Sequence, residues 1–62
     1  MEPVNQDEDI NPHEIGWHYA TIRDDGSIYT NFYIGDKKPE TPDKRFTLLY
    51  FFQGFWYWDE PG

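Results

Sequence analysis

From Trp17 to Ile34 apolar and polar side chains alternate with a period of two. The stretches WHYATIR and SIYTNFYI are rich in β-branched and aromatic residues, as strands are when they pack one face and wet the other. Asp24-Asp25-Gly26 separates them. Gly26 can take the positive φ that a tight hairpin requires, and Asp25 tolerates the turn position before it. Two registers are open. A three-residue loop with a bulge pairs Ile22 with Ile28, Ala20 with Thr30 and His18 with Phe32. A two-residue Asp25-Gly26 loop instead pairs Arg23 with Ile28 and Tyr19 with Phe32. The first is preferred because it gathers Ala20, Ile22, Ile28, Phe32 and Ile34 on one face. Trp17, Tyr19, Tyr29, Asn31 and Tyr33 then line the other.

The pattern breaks over GDKKPETPDK, where a glycine, two prolines and six charges read as a loop. It resumes as TLLYFFQGFWYW, Thr47 to Trp58, which holds seven of the chain's thirteen aromatic residues. Gln53-Gly54 fits a two-residue turn, pairing Phe52 with Phe55, Phe51 with Trp56, Tyr50 with Tyr57 and Leu49 with Trp58, although Gln-Gly is a weaker turn signal than Asn-Gly and a longer loop or a short helical start is the alternative. Both faces of this hairpin are apolar, and strands of that kind are normally covered on both sides. So short a chain has little left for the second cover, which points to self-association or a partner. The first thirteen residues, with Asp7-Glu8-Asp9 and two prolines, read as a flexible acidic tail whose Met1–Pro12 stretch buries almost nothing. The expected fold is all-β: a small antiparallel sheet of about four strands, in two hairpins, over residues 14–62.

Sixty-two residues make one domain at most, in a range where a single core is barely sufficient. With no cysteine there is no disulfide to reinforce it, and dense aromatic packing, self-association or a bound partner must do so instead. The formal charge is −7, from twelve acidic and five basic residues. This argues against direct binding to phosphate backbones, which relies on Lys and Arg, and disfavours anionic membranes. It favours a basic protein surface, chiefly through the association rate. The same acids also keep an aromatic-rich chain in solution, which needs no partner to explain it. The N-terminus lacks the apolar run of a signal peptide, and the C-terminal apolar run is too short to span a bilayer, so a cytoplasmic protein is expected.

Catalysis finds no support. There is no cysteine nucleophile, Ser27 lies in a turn without a nucleophile-elbow context, and the acids sit in turns and termini where water keeps them ionised. Asp9, His13 and His18 have metal-ligand chemistry but no recognisable ligand spacing, so neither metal nor cofactor is expected. The aromatic run could stack single-stranded bases, but such platforms carry basic grooves, and here Asp59 and Glu60 follow the run.

Gly16-Trp17, Asp25-Gly26, Tyr29-x-Asn31 and Trp58-x-x-Pro61 resemble the landmarks of the WW family over about sixteen residues and the chain end. The resemblance implies a buckle of Trp17, Tyr29, Asn31 and Pro61, with Trp58 gripping proline-rich peptides. The chain departs from that pattern where Ile28 replaces the ligand-gripping Tyr, and where a loop and a whole strand precede the second Trp.

The expected function is binding without catalysis. In one version the protein inhibits or modulates a basic, nucleic-acid-handling host protein, as small acidic proteins of phages and mobile elements do. In the other it is a structural or adaptor module that closes a homodimer or docks in an assembly through its aromatic face. The candidate contacts are Tyr29, Tyr33, Trp56 and Trp58 among the aromatics, and Asp24, Asp25, Asp59 and Glu60 among the acids.

Overall fold

The computed structural model describes residue 4 and residues 13–60. Four strands, β1 (Gly16–Ile22), β2 (Ile28–Gly35), β3 (Thr47–Phe52) and β4 (Phe55–Tyr57), form one antiparallel sheet of order β2-β1-β3-β4. The two hairpins are joined through their first strands, β1 and β3, so both second strands lie at edges. No helix of the described residues is long and apolar enough to cross a membrane.

The first turn is the three-residue loop. Arg23 N–H donates to Ser27 O at 2.8 Å and Gly26 N–H to Arg23 O at 2.9 Å. Gly26 has φ +90°, and Asp25 Oδ1 accepts from both the amide and the hydroxyl of Ser27. Ile22 faces Ile28 and Ala20 faces Thr30, as the preferred register requires. Between Tyr19 and Ala20 the register then slips, so Phe32 lies opposite Tyr19 and Tyr33 opposite His18. One extra residue in a strand flips every later side chain to the other face. Phe32 therefore joins Tyr19 and Phe46 on the second face, and Tyr33 packs tilted against His18 on the first, the reverse of the expected assignment. A second irregularity, between Trp17 and His18, brings Gly35 opposite Trp17. A Cβ on Gly16, whose φ is +138°, would stand 2.6 Å from Gly35 O, so only glycine permits this approach.

The second turn is the two-residue Gln53-Gly54, with φ of 51° and 87°. Two successive positive φ angles match the twist of the flanking strands, and Gly54 supplies one of them without strain. Phe52 pairs with Phe55, Phe51 with Trp56 and Tyr50 with Tyr57. β4 ends there, so the expected Leu49–Trp58 pair does not form and Trp58 leaves the sheet.

Ala20, Leu49, Phe51 and Trp56 are buried on the first face, with Ile22 and Ile28 packed against them. Val4 belongs to this cluster at 4% exposure, and its N–H donates to Trp56 O at 2.8 Å. The His13 ring lies 5.2 Å from both Phe51 and Trp56. The tail expected over residues 1–13 otherwise lies outside the described residues. Those two of its members, against expectation, are part of the packing.

The second face is covered by the segment between β2 and β3. Asp43 N–H donates to Tyr19 Oη at 3.1 Å, and Phe46 packs on Tyr19 and Phe32. Lys38 lies 5.3 Å above the Trp17 ring and pairs with Asp59 at 3.7 Å. Trp17, edge-on to Tyr50, is 1% exposed. The Pro-rich loop thus supplies much of the cover that the strands alone lack.

Candidate binding surface

His18 anchors the lower part of the sheet. It is buried, yet both ring nitrogens are used: Nε2 contacts Glu14 O at 2.7 Å and Nδ1 contacts Thr30 Oγ1 at 2.9 Å. A carbonyl only accepts, so Nε2 carries the proton, and Nδ1 accepts from the Thr30 hydroxyl. The ring is held neutral, and its pKa is lowered chiefly by burial, with the nearby His13 adding to the effect. An imidazole with both nitrogens occupied is a strut, not a free base.

Around this strut lies an open groove of about 540 Å³, lined by His13, Glu14 and His18 and by Thr30, Asn31, Phe32 and Tyr33 of β2. Tyr33 closes one end, its hydroxyl donating to Ile15 O at 3.0 Å. Asn31 is fixed by a bond from Nδ2 to Thr21 Oγ1. Phe32 is 59% exposed and Tyr33 46%, although both are large and apolar. Together with Tyr29 and Ile15 they make the β2 side the most aromatic exposed part of the molecule.

Of the four aromatic residues singled out in the sequence, Tyr29 and Tyr33 lie on β2 and are exposed. Trp58 is half exposed and follows β4 at the opposite edge. Trp56 is fully buried in the core, so it is not available as a contact. Its indole Nε1, like that of Trp17, has no hydrogen-bond partner among the described residues. Phe32, Glu14 and the groove were missed. The groove depends on the bulge, and period-two reading assigns Phe32 to the core face.

The acids do not form one patch. Asp24 and Asp25 sit at the β1–β2 turn, whereas Asp59 and Glu60 follow β4 across the sheet. Arg23 lies beside the first pair, over Tyr29, and Lys38 pairs with Asp59. Hydrogen bonds from Ser27 lower the Asp25 pKa, and those from Arg45 hold Asp43 at about 2, so both carboxylates stay ionised. Tyr50 is pushed up by desolvation first, then by Glu60 and Asp36. No group of three or more His, Cys, Asp or Glu among the described residues is arranged to hold a metal ion.

The buckle implied by the WW resemblance is not assembled. Trp17 packs on Tyr50 beneath Lys38, Tyr29 lies against Arg23, Asn31 bonds Thr21, and Pro61 lies outside the described residues. In comparisons with known proteins, no family model, no curated protein and no solved structure matches this chain.

Proposed function

We propose that this chain is a non-catalytic binding protein that acts by occupying a basic surface of another protein. One observation carries the reading. With Trp17 and Trp56 buried on the two faces of the sheet, Ile15, Tyr29, Phe32, Tyr33, Phe55 and Trp58 all remain near half exposed or more. Aromatic side chains left uncovered on a chain of net charge −7 suit a partner that is apolar at the contact and basic around it. Affinity comes from the rings and association rate from the charge. Inhibition or modulation of a nucleic-acid-handling protein follows where the occupied basic surface is one that otherwise takes phosphates.

A pull-down from native host lysate, run at low and high salt, tests this. The expected result is a basic partner whose association slows as salt rises and whose retention falls with Phe32→Ala. Neutralising Asp24 and Asp25, or Asp59 and Glu60, should slow association without altering the fold. A partner that is acidic, or one indifferent to both salt and the exposed rings, would sink the reading. The adaptor or homodimer reading is supported by the open β2 edge, and light scattering at tens of micromolar tests it directly.

A further inference from the structure

We infer that β2 is a docking edge for an extended basic segment of the partner, which adds to the sheet as a fifth strand and places one Lys or Arg side chain in the neighbouring groove. This rests on the binding function proposed above and names its surface and partner chemistry. Among the described residues no strand pairs with the outer side of β2, an eight-residue strand. The Arg23 N–H donates to Ser27 O across the hairpin, so by antiparallel alternation the Ile28 and Thr30 backbones turn away from β1 and toward the open edge. Protected edges usually carry charges or prolines, and IYTNFYIG has neither. Its two register shifts lie in the pairing with β1.

The occupant follows from charge. Glu14, Asp24, Asp25 and Asp36 flank the strand, against Arg23 and Lys37, so the edge is acidic on balance. In strand addition, main-chain bonds supply affinity and side-chain pockets supply selection. The groove beside Thr30 has the Phe32 and Tyr33 rings for an aliphatic stem and cation, and the Glu14 carboxylate for the charged head. A second copy of this chain would bring another −7 to the same edge, and charge repulsion opposes it.

The test pans a display library of random short peptides on the full chain, then titrates a selected peptide into the ¹⁵N-labelled protein while amide exchange is followed. Enriched peptides should alternate β-branched residues around one Lys or Arg, and should slow exchange at the Ile28 and Thr30 amides. Glu14→Lys should weaken binding about tenfold, because it replaces an attraction by a repulsion at a partly desolvated site. It leaves the Glu14 carbonyl bonded to His18. Phe32→Ala, judged alongside a melting curve, gives a second and uncharged variant. No enrichment, or enrichment of acidic or uncharged sequences, overturns the inference. Protection at Phe55–Tyr57 instead overturns the docking edge while leaving a binding function standing. Concentration-dependent protection of Ile28 and Thr30 without peptide assigns the edge to a second copy. If basic peptides dock here but the lysate yields no basic partner, the functional reading is the one that fails.

Discussion

Val4 is the residue whose removal most directly tests how this small core is closed. It is 4% exposed against Ala20, Leu49, Phe51 and Trp56, and its N–H bonds the Trp56 carbonyl. Val4→Ala removes two methylene equivalents, worth about 1.6 kcal/mol at about 0.8 each. The cavity left beside rigid aromatic rings raises this to about 2 kcal/mol. A chain of this length has a total stability of about 3–9 kcal/mol, so the loss is a substantial share. For so small a domain it corresponds to a fall in Tm of about 8–16 °C. Thermal unfolding followed by circular dichroism reads the effect, with urea denaturation as a check that the slope is unchanged. Deleting residues 1–12 should cost at least as much, since the Trp56 carbonyl then loses its partner too. A Val4→Ala protein melting within about 2 °C of the parent would refute the placement of Val4 in the core.

Three other outcomes follow from the same geometry. The folded-state pKa of His18 lies below its ordinary value, so its contribution is complete above about pH 6.5 and is lost as pH falls from there toward the folded pKa. Melting curves should show this loss, allowing for His13, Glu14 and Tyr33, which all face the ring, and His18→Gln should flatten the change across that window. Gly16→Ala should destabilise by about 2–3 kcal/mol in urea unfolding, because it forces both a left-handed φ and a clash with the Gly35 carbonyl. Acrylamide should quench Trp58 and leave Trp17 and Trp56 shielded, so a Trp58→Phe protein should show almost no accessible fluorescence.

The hairpins were legible because their signals are local. Asp24-Asp25-Gly26 and Gln53-Gly54 fix their turns through residues that tolerate positive φ, and period two fixes the strands between them. The faces of Phe32 and Tyr33 were not legible, because a bulge leaves no mark in the composition and reverses the assignments between it and the next irregularity, whereas Trp17 and Tyr19 lie on the face expected of them. That one irregularity moved Phe32 and Tyr33, and with them the groove. Val4 was hidden for a different reason. Its neighbours are acidic and proline-flanked, so pattern alone places it in a tail, while its burial depends on a contact with Trp56 about fifty residues away. Trp56 and Trp58 are indistinguishable by type and spacing. Only the end of β4 at Tyr57 separates the buried indole from the exposed one.

The cover over the second face bears on where the proposed binding would occur. Two apolar faces suggested an interface in the plane of the sheet, with Trp56 among its contacts. Once Lys38, Asp43 and Phe46 close over Trp17 and Tyr19, a partner lying flat on that face would have to displace them. It would also expose a tryptophan that is now 1% accessible. The edges carry no such cost. Of the two, β4 has only three residues and its Trp56 carbonyl is already bonded by Val4, whereas β2 has eight residues and outward-facing backbone at Ile28 and Thr30. The loop covers Trp17 and Tyr19 and leaves Tyr29, Phe32 and Tyr33 of the longest strand exposed, which is why the proposed docking is placed along β2.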